Sequence, residues 1–198
     1  AIEHDVNVCM AVKGSYGSTG QRGSGASACG ASESGSPRVA KMSVTPSEIE
    51  SLYNRIIQAG LGLADRKLVA NMMEDVPKIQ TLLQKWGITF DSPGPYHLGY
   101  PFVHAIEKDV RSSAIRLFEH TMITDLLLHD DKCVGAMGIT TSGEILVFQT
   151  PAVILATGGD AQLFRHNVHP DCVTGDGYAM GFRAGTELMN MEFMQIFF

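Results

Sequence analysis

An α/β domain, in which a parallel sheet, a β-meander and a helical layer share one core, is the fold class that three observations predict. A run of β-branched and apolar residues without strict alternation at 5–12 and a continuously apolar one at 152–156 have the look of strands buried on both faces, and helix-like segments lie between them. Short strand-like runs separated by turn residues crowd 115–148. The 21 glycines gather beside these elements, where a backbone must come close to a ligand. At 198 residues and 44% hydrophobic content the chain can bury a real core, which sets disordered and fibrous classes aside. Charged residues amount to only 18%, and a net charge of −6 without any cluster of Lys or Arg argues against binding to nucleic acid or anionic lipid.

The first strand is read at Asp5–Val12, ending at Lys13-Gly14. Residues 14–37 are dominated by Gly and Ser and fit either a flexible linker or a ligand-binding loop; Ala26, Ala28 and Cys29, which a solvated linker does not need, favour the loop. Thr45, Pro46 and Glu48 combine an N-cap, a first-turn proline and a capping-box acid, so a helix is predicted from Pro46 to Ala59, ended by Gly60. Asp65 caps the next helix, with Leu68, Met72 and Val76 expected on its buried face and a kink or restart at Pro77. A third helix is predicted from near Pro101, burying Phe102, Val103, Ile106 and Val110.

From Ala114 the pattern shortens. Strands are predicted at 115–118, 122–128, 133–139 and 144–148, all four in an antiparallel meander, with Asp130-Asp131-Lys132 as a solvated hairpin turn. Ala152–Ala156 is read as a buried parallel strand leading into Thr157-Gly158-Gly159, and a last helix is expected after Thr174-Gly175-Asp176-Gly177, running through Met180 and Ala184 to Leu188. Cys9, Cys29, Cys133 and Cys172 lack any CxxC spacing, so no zinc site or disulfide framework is expected and a reducing, cytoplasmic setting fits. His97, His104, His120, His166 and His169 form no ligand pattern with carboxylates, so no metal is expected. The six methionines from Met72 to Met194 outside the strands are read as core filling. No apolar run approaches the roughly 20 residues that span a bilayer, and no direct membrane insertion is expected. Because the chain opens at Ala1 without Met and stops at Phe198 inside an apolar run, it reads as a piece of something longer.

Three glycine-rich points, 14–30, 156–159 and 174–177, each adjoin a regular element. In open α/β sheets ligands bind at the carboxyl ends of strands, so one ligand can touch all three. The ordered set of Lys13-Gly14, Ser24-Gly25-Ala26-Ser27, Leu61-Gly62-Leu63-Ala64-Asp65, Lys85-Trp86-Gly87-Ile88, the run from Glu119-His120 to Leu127, Val153 to Gly159, Thr174-Gly175-Asp176-Gly177 and Met191-Glu192-Phe193-Met194-Gln195 carries more. It resembles the FAD-binding domain of the succinate dehydrogenase and fumarate reductase flavoprotein family, which also holds L-aspartate oxidases and adenylylsulfate reductase flavoprotein subunits.

The resemblance implies a Rossmann-like FAD-binding domain, partial over residues 1–198, with the first βα unit and its GxGxxG loop missing and the capping and C-terminal domains outside the chain. It implies an extended FAD: Lys13 and Gly14 near the adenosine ribose, Ser24, Gly25, Ala26, Ser27 and Gly30 along the pyrophosphate, ribityl chain and flavin, Ala156, Thr157 and Gly158 behind the cofactor, and Asp176 bonded to the ribityl or phosphate region. Some positions depart from the family. Val12 or Ala11 stands where an acid usually closes the second strand, Gly25 replaces the histidine that attaches flavin covalently, the 90–97 segment is short, and Phe197 replaces a substrate-facing histidine.

The function implied is that of an FAD-dependent oxidoreductase subunit passing hydride and electrons between flavin and a small acid substrate. An iron–sulfur subunit is the implied electron partner, in the cytoplasm or at a membrane through partner subunits. Adenylylsulfate reductase-like chemistry and a non-catalytic module within an assembly are the alternatives. The family's catalytic arginine falls beyond Phe198, so no catalytic residue is assigned and the chain alone is expected to be inactive.

Overall fold

The computed structural model describes residues 6–17, 45–86, 99–167 and 169–194. The chain divides into two compact units, 24–108 and a sheet unit made of 1–23 with 109–198.

In the first unit, α1 (Pro46–Ala59) starts as predicted: the Glu48 N–H donates to Thr45 Oγ1 at 3.3 Å while the Thr45 N–H donates to Glu48 Oε2 at 2.9 Å, closing a capping box. Asp65 Oδ1 accepts the N–H groups of Lys67 and Leu68 and opens α2 (Arg66–Lys85), which packs on α1. Two expectations for α2 need correction. Its buried face carries Val69, Met73 and Val76, whereas Leu68 is 61% exposed. Spacings of four and three keep 69, 73 and 76 on one stripe, while two successive steps of four drift by about 40° each around a helix of 3.6 residues per turn. Pro77 neither ends nor restarts the helix. A proline costs one N–H and crowds one carbonyl, and the helix runs on beyond it to Lys85, with the Thr81 side-chain hydroxyl also donating to the Pro77 carbonyl at 3.0 Å. The third helix, α3 (Gly99–Ser112), begins two residues before the predicted Pro101, and its last turn from Asp109 belongs to the sheet unit.

The sheet unit holds two sheets. β1 (Cys9–Ala11) pairs in parallel with β2 (Arg116–Phe118), so the ladder covers only part of the predicted 5–12 strand. Separately, β3 (Thr121–His129), β4 (Lys132–Thr140) and β5 (Ile145–Gln149) form the antiparallel meander. The run at 115–118 therefore does not join the meander as expected. A strand reached through intervening helices returns parallel to its predecessor, and that connection decides its partner. The β3–β4 hairpin turns at Asp130 (φ 49) and Asp131 (φ 57), the doubled positive φ of a two-residue turn whose twist matches the flanking strands. The half-buried rings of Phe118 and Phe148 meet edge-on, centroids 5.0 Å apart at 85°, so β2 and β5 are in contact.

Two further expectations are corrected after the meander. Residues 152–156 are not a strand: they make no ladder among the described residues, and Ile154 is 87% exposed. Apolar continuity supplies the side chains of a buried strand, but only a neighbouring backbone supplies the ladder. The last helix, α4 (Asp176–Arg183), stops short of Leu188, because the chain turns at Gly185 with φ +82. α4 packs on β3, where Arg183 bonds to Asp125 and the Thr124 carbonyl, and Met180 of the helix is almost wholly buried.

Candidate functional site

The loop that ends β1 carries Lys13, and the turn that opens α4 carries Thr174 and Asp176, some 160 residues away in sequence. Lys13 Nζ donates to Asp176 Oδ2 at 2.7 Å and to Thr174 Oγ1 at 2.5 Å, and Thr174 Oγ1 donates to the same Oδ2 at 2.7 Å. Both charged side chains are about two-thirds covered, at 32% and 28% exposure. Burial alone pushes the Asp176 carboxyl up; the hydrogen bonds from Lys13 and Thr174, with the lysine charge, outweigh it and hold the carboxyl below its ordinary value of 3.8.

A group lowered on folding adds stability above its unfolded value, and that stability is lost as pH falls through the folded value. The stability gap between the wild-type chain and Asp176→Asn, read by urea unfolding, is therefore expected to be level from neutral pH down to about 4 and to shrink below it. A gap that widens in acid contradicts this assignment.

Next to this triad, Gly177 in the first turn of α4 seats against Thr157: a Cβ there meets Thr157 Cβ at 2.8 Å and Cγ2 at 3.1 Å. The closeness brings α4 onto the 155–159 segment. Gly158 has φ +73, and the space where its Cβ would stand is clear of other atoms, so its backbone is presented to the outside. A shallow cavity of about 280 Å³ opens there, lined among others by Ala156, Thr157, Gly158, Gly177, Tyr178 and Leu188. That volume lies just below the usual range for ligand sites.

Of the residues singled out from sequence, Lys13 and Asp176 are in direct contact, and Ala156, Thr157 and Gly158 line the cavity beside α4. Gly14 follows Lys13, and its carbonyl accepts the His120 N–H at 3.1 Å. Ser24, Gly25, Ala26, Ser27 and Gly30 lie outside the described residues, as does His97. Thr174, Gly177 and Tyr178 are not among the ligands expected from sequence, although the Thr-Gly-Asp-Gly turn contains two of them. Among the described residues no helix is long and apolar enough to cross a membrane.

Residues 94–197, just over half of the chain, match the family described as "FAD binding domain". The L-aspartate oxidase of Bacillus subtilis is 31% identical over 168 residues, which cover 74% of this chain and 32% of that protein. The fumarate reductase flavoprotein subunit of a Serratia species is 26% identical over 165 residues, 72% of this chain and 28% of that one. An FAD-dependent oxidoreductase of Methanocaldococcus jannaschii is 28% identical over 98% of this chain and 39% of its own length. The chain thus spans about a third of the length of the curated relatives it matches. Among solved structures, the Mycobacterium smegmatis Sdh1 complex in its apo form superposes with a TM-score of 0.68 at 22% identity, covering 92% of this chain and 35% of that one. The E. coli quinol fumarate reductase chain superposes at 0.62 and 18% identity, covering 90% and 37%. At such identities the structural likeness establishes the fold.

Proposed function

The chain belongs to the FAD-binding domain family, and on that premise we propose that it holds FAD where the end of β1, the 155–159 segment and the start of α4 meet. The observation that carries the proposal is the Lys13–Thr174–Asp176 triad, which ties the end of a parallel strand to the turn before a helix beside an open cavity. Strand ends of this kind are where open α/β sheets take nucleotides.

The residues present fit the cofactor. The Gly158 backbone is free of side-chain bulk on its open side, so a flat or phosphorylated group can approach it closely. Asp176 receives Lys13 and Thr174 on Oδ2, leaving Oδ1 for a ribityl or ribose hydroxyl. Lys13 and Gly14 are assigned to the adenosine ribose, and Ala156 to Gly158 to the back of the cofactor. Ser24, Gly25, Ala26, Ser27 and Gly30 are assigned to the pyrophosphate, ribityl chain and flavin. Bound flavin supplies hydride and electron transfer; this chain binds it, orients it and limits water around it.

In the full-length protein the chemistry proposed is oxidoreduction of a small acid, as the named activities of the relatives suggest. Electrons would pass to or from a partner iron–sulfur subunit, with the protein cytoplasmic or held at a membrane by its partners. Titration of the chain with FAD, followed by quenching of flavin fluorescence, is the test. Micromolar binding is expected, with Lys13→Met about tenfold weaker, since a hydrogen-bonded charge is worth about 1.5–3 kcal/mol before solvent screening. A wild-type chain that leaves FAD fluorescence unchanged overturns the proposal.

A further inference from the structure

We infer that Glu119, held by Arg111, is a positioning residue that clasps the Lys13–Gly17 loop and so sets the adenosine end of the cofactor site, an inference that rests on the FAD reading above. In open α/β sheets a carboxylate at a strand end commonly takes the ribose hydroxyls. β1 offers none, since Val12 and Lys13 follow its last residue. The carboxylate comes instead from the neighbouring strand: Ala11 pairs with Phe118, and Glu119 is the next residue after β2.

Its oxygens are already committed. Oε1 accepts the Tyr16 N–H at 2.7 Å and Arg111 Nη2 at 2.9 Å, and Oε2 accepts Arg111 Nη1 at 3.2 Å. Arg111 stands in the last turn of α3, so the fork of its guanidinium fixes the carboxylate from behind. Hydrogen bonds from Arg111 and from the Tyr16 N–H hold the Glu119 carboxyl below the usual carboxylate range, against a smaller opposing effect of burial. An ionised carboxylate engaged in this way has little left to offer a sugar. It fixes the loop instead.

The backbone completes the clasp. The Val12 N–H donates to the Phe118 carbonyl at 2.8 Å, the Thr121 N–H to the Val12 carbonyl at 2.9 Å, and the His120 N–H to the Gly14 carbonyl at 3.1 Å. His120 takes φ +53 at this connection, a conformation uncommon outside glycine but one that histidine adopts more readily than most residues, and its carbonyl accepts the Thr141 N–H at 3.1 Å. Every backbone bond except Tyr16's is made by main-chain atoms alone. Ser15 Oγ and His120 Nε2, 3.4 Å apart, add a longer side-chain contact, and Glu119 holds the loop just past Lys13, whose ammonium reaches Asp176.

Glu119→Gln keeps an oxygen for Tyr16 but breaks the forked ion pair. Flavin mononucleotide lacks the adenosine half of FAD, so comparing the two separates loop positioning from general loss of fold. The variant is expected to bind FAD about tenfold more weakly while its affinity for flavin mononucleotide stays within about twofold of wild type. Arg111→Lys, which keeps the charge and loses the fork, is expected to fall between. Unchanged FAD affinity, or equal losses for both flavins, overturns the inference. If the wild-type chain binds neither flavin, the FAD reading fails and the clasp is judged by amide exchange at Tyr16: faster exchange in Glu119→Gln sustains it, and unchanged exchange overturns it.

Discussion

Gly177→Val is expected to lift α4 off the 155–159 segment and to abolish retention of FAD. A Cβ at 177 meets Thr157 Cβ at 2.8 Å, closer than such atoms ever approach. Rotating Thr157 moves its hydroxyl and methyl out of the way but leaves its Cβ where the backbone puts it, so the strain reaches the main chain. Residue 177 is buried in the first turn of the helix, next to Asp176. Any shift of that turn therefore pulls on the triad with Lys13. Overpacking of this kind costs about 1–3 kcal/mol. Removing glycine from a helix returns at most ~1 kcal/mol of propensity, less for a β-branched residue, so the packing loss wins. Urea unfolding and FAD titration of Gly177→Val give the two readouts, and the double variant with Thr157→Gly should recover part of both. A Gly177→Val chain that unfolds and binds FAD like wild type refutes the contact.

Where a structural choice depended on neighbours in sequence, the sequence made it legible. Thr45, Pro46 and Glu48 are three adjacent signals for one helix start, and both capping-box bonds form. Asp130 and Asp131 likewise make their own turn, and the hairpin follows. Choices that depended on distant partners were less legible. The run at 115–118 has the composition of a meander strand, yet it pairs with β1, because helices separate the two and the return is parallel. Val153 to Ala156 has the side chains of a buried strand without a ladder partner among the described residues. In α2 the apolar residues at 68 and 72 obscured the true stripe at 69, 73 and 76, since every-fourth spacing passes for helical periodicity over two steps.

The site divides in the same way. Lys13 and Asp176 could be singled out because glycine-rich turns mark strand and helix ends, and the two prove to be ion-paired. Glu119 stands in a run quoted for the resemblance, yet its role could not be read there: one partner is a backbone N–H 103 residues away and the other is an arginine on a different element, and neither leaves a pattern in sequence. Side chains that position a loop through its main chain are invisible until the loop is folded.

Gly135→Val puts local preference and tertiary packing in direct opposition, and the expected outcome is loss of the meander. Position 135 lies in the middle of β4, between Leu127 of β3 and Gln149 of β5, where β-propensity alone says that valine stabilises. A Cβ at this position, however, runs into the Phe148 carbonyl and lies 3.2 Å from its carbon and 3.4 Å from Gln149 Cα. These are all backbone atoms of the paired strand, with no rotamer to give way. Glycine inside a strand often marks such an approach. Relief requires β5 to slip or part from β4, which places the cost in the exceptional range above about 4 kcal/mol. Ile139→Val on the same strand is the control, since Ile139 is 39% exposed and loses a single methylene, a change of about 1 kcal/mol or less. The consequence extends to the cofactor site. Phe148 is the residue whose ring meets Phe118 of β2, the strand paired with β1, and β1 leads into Lys13. Freed β5 loosens that contact, so FAD affinity should fall together with stability in Gly135→Val and stay near wild type in Ile139→Val. Stability unchanged or raised by Gly135→Val would mean that β5 does not lie against β4 with Gln149 opposite Gly135.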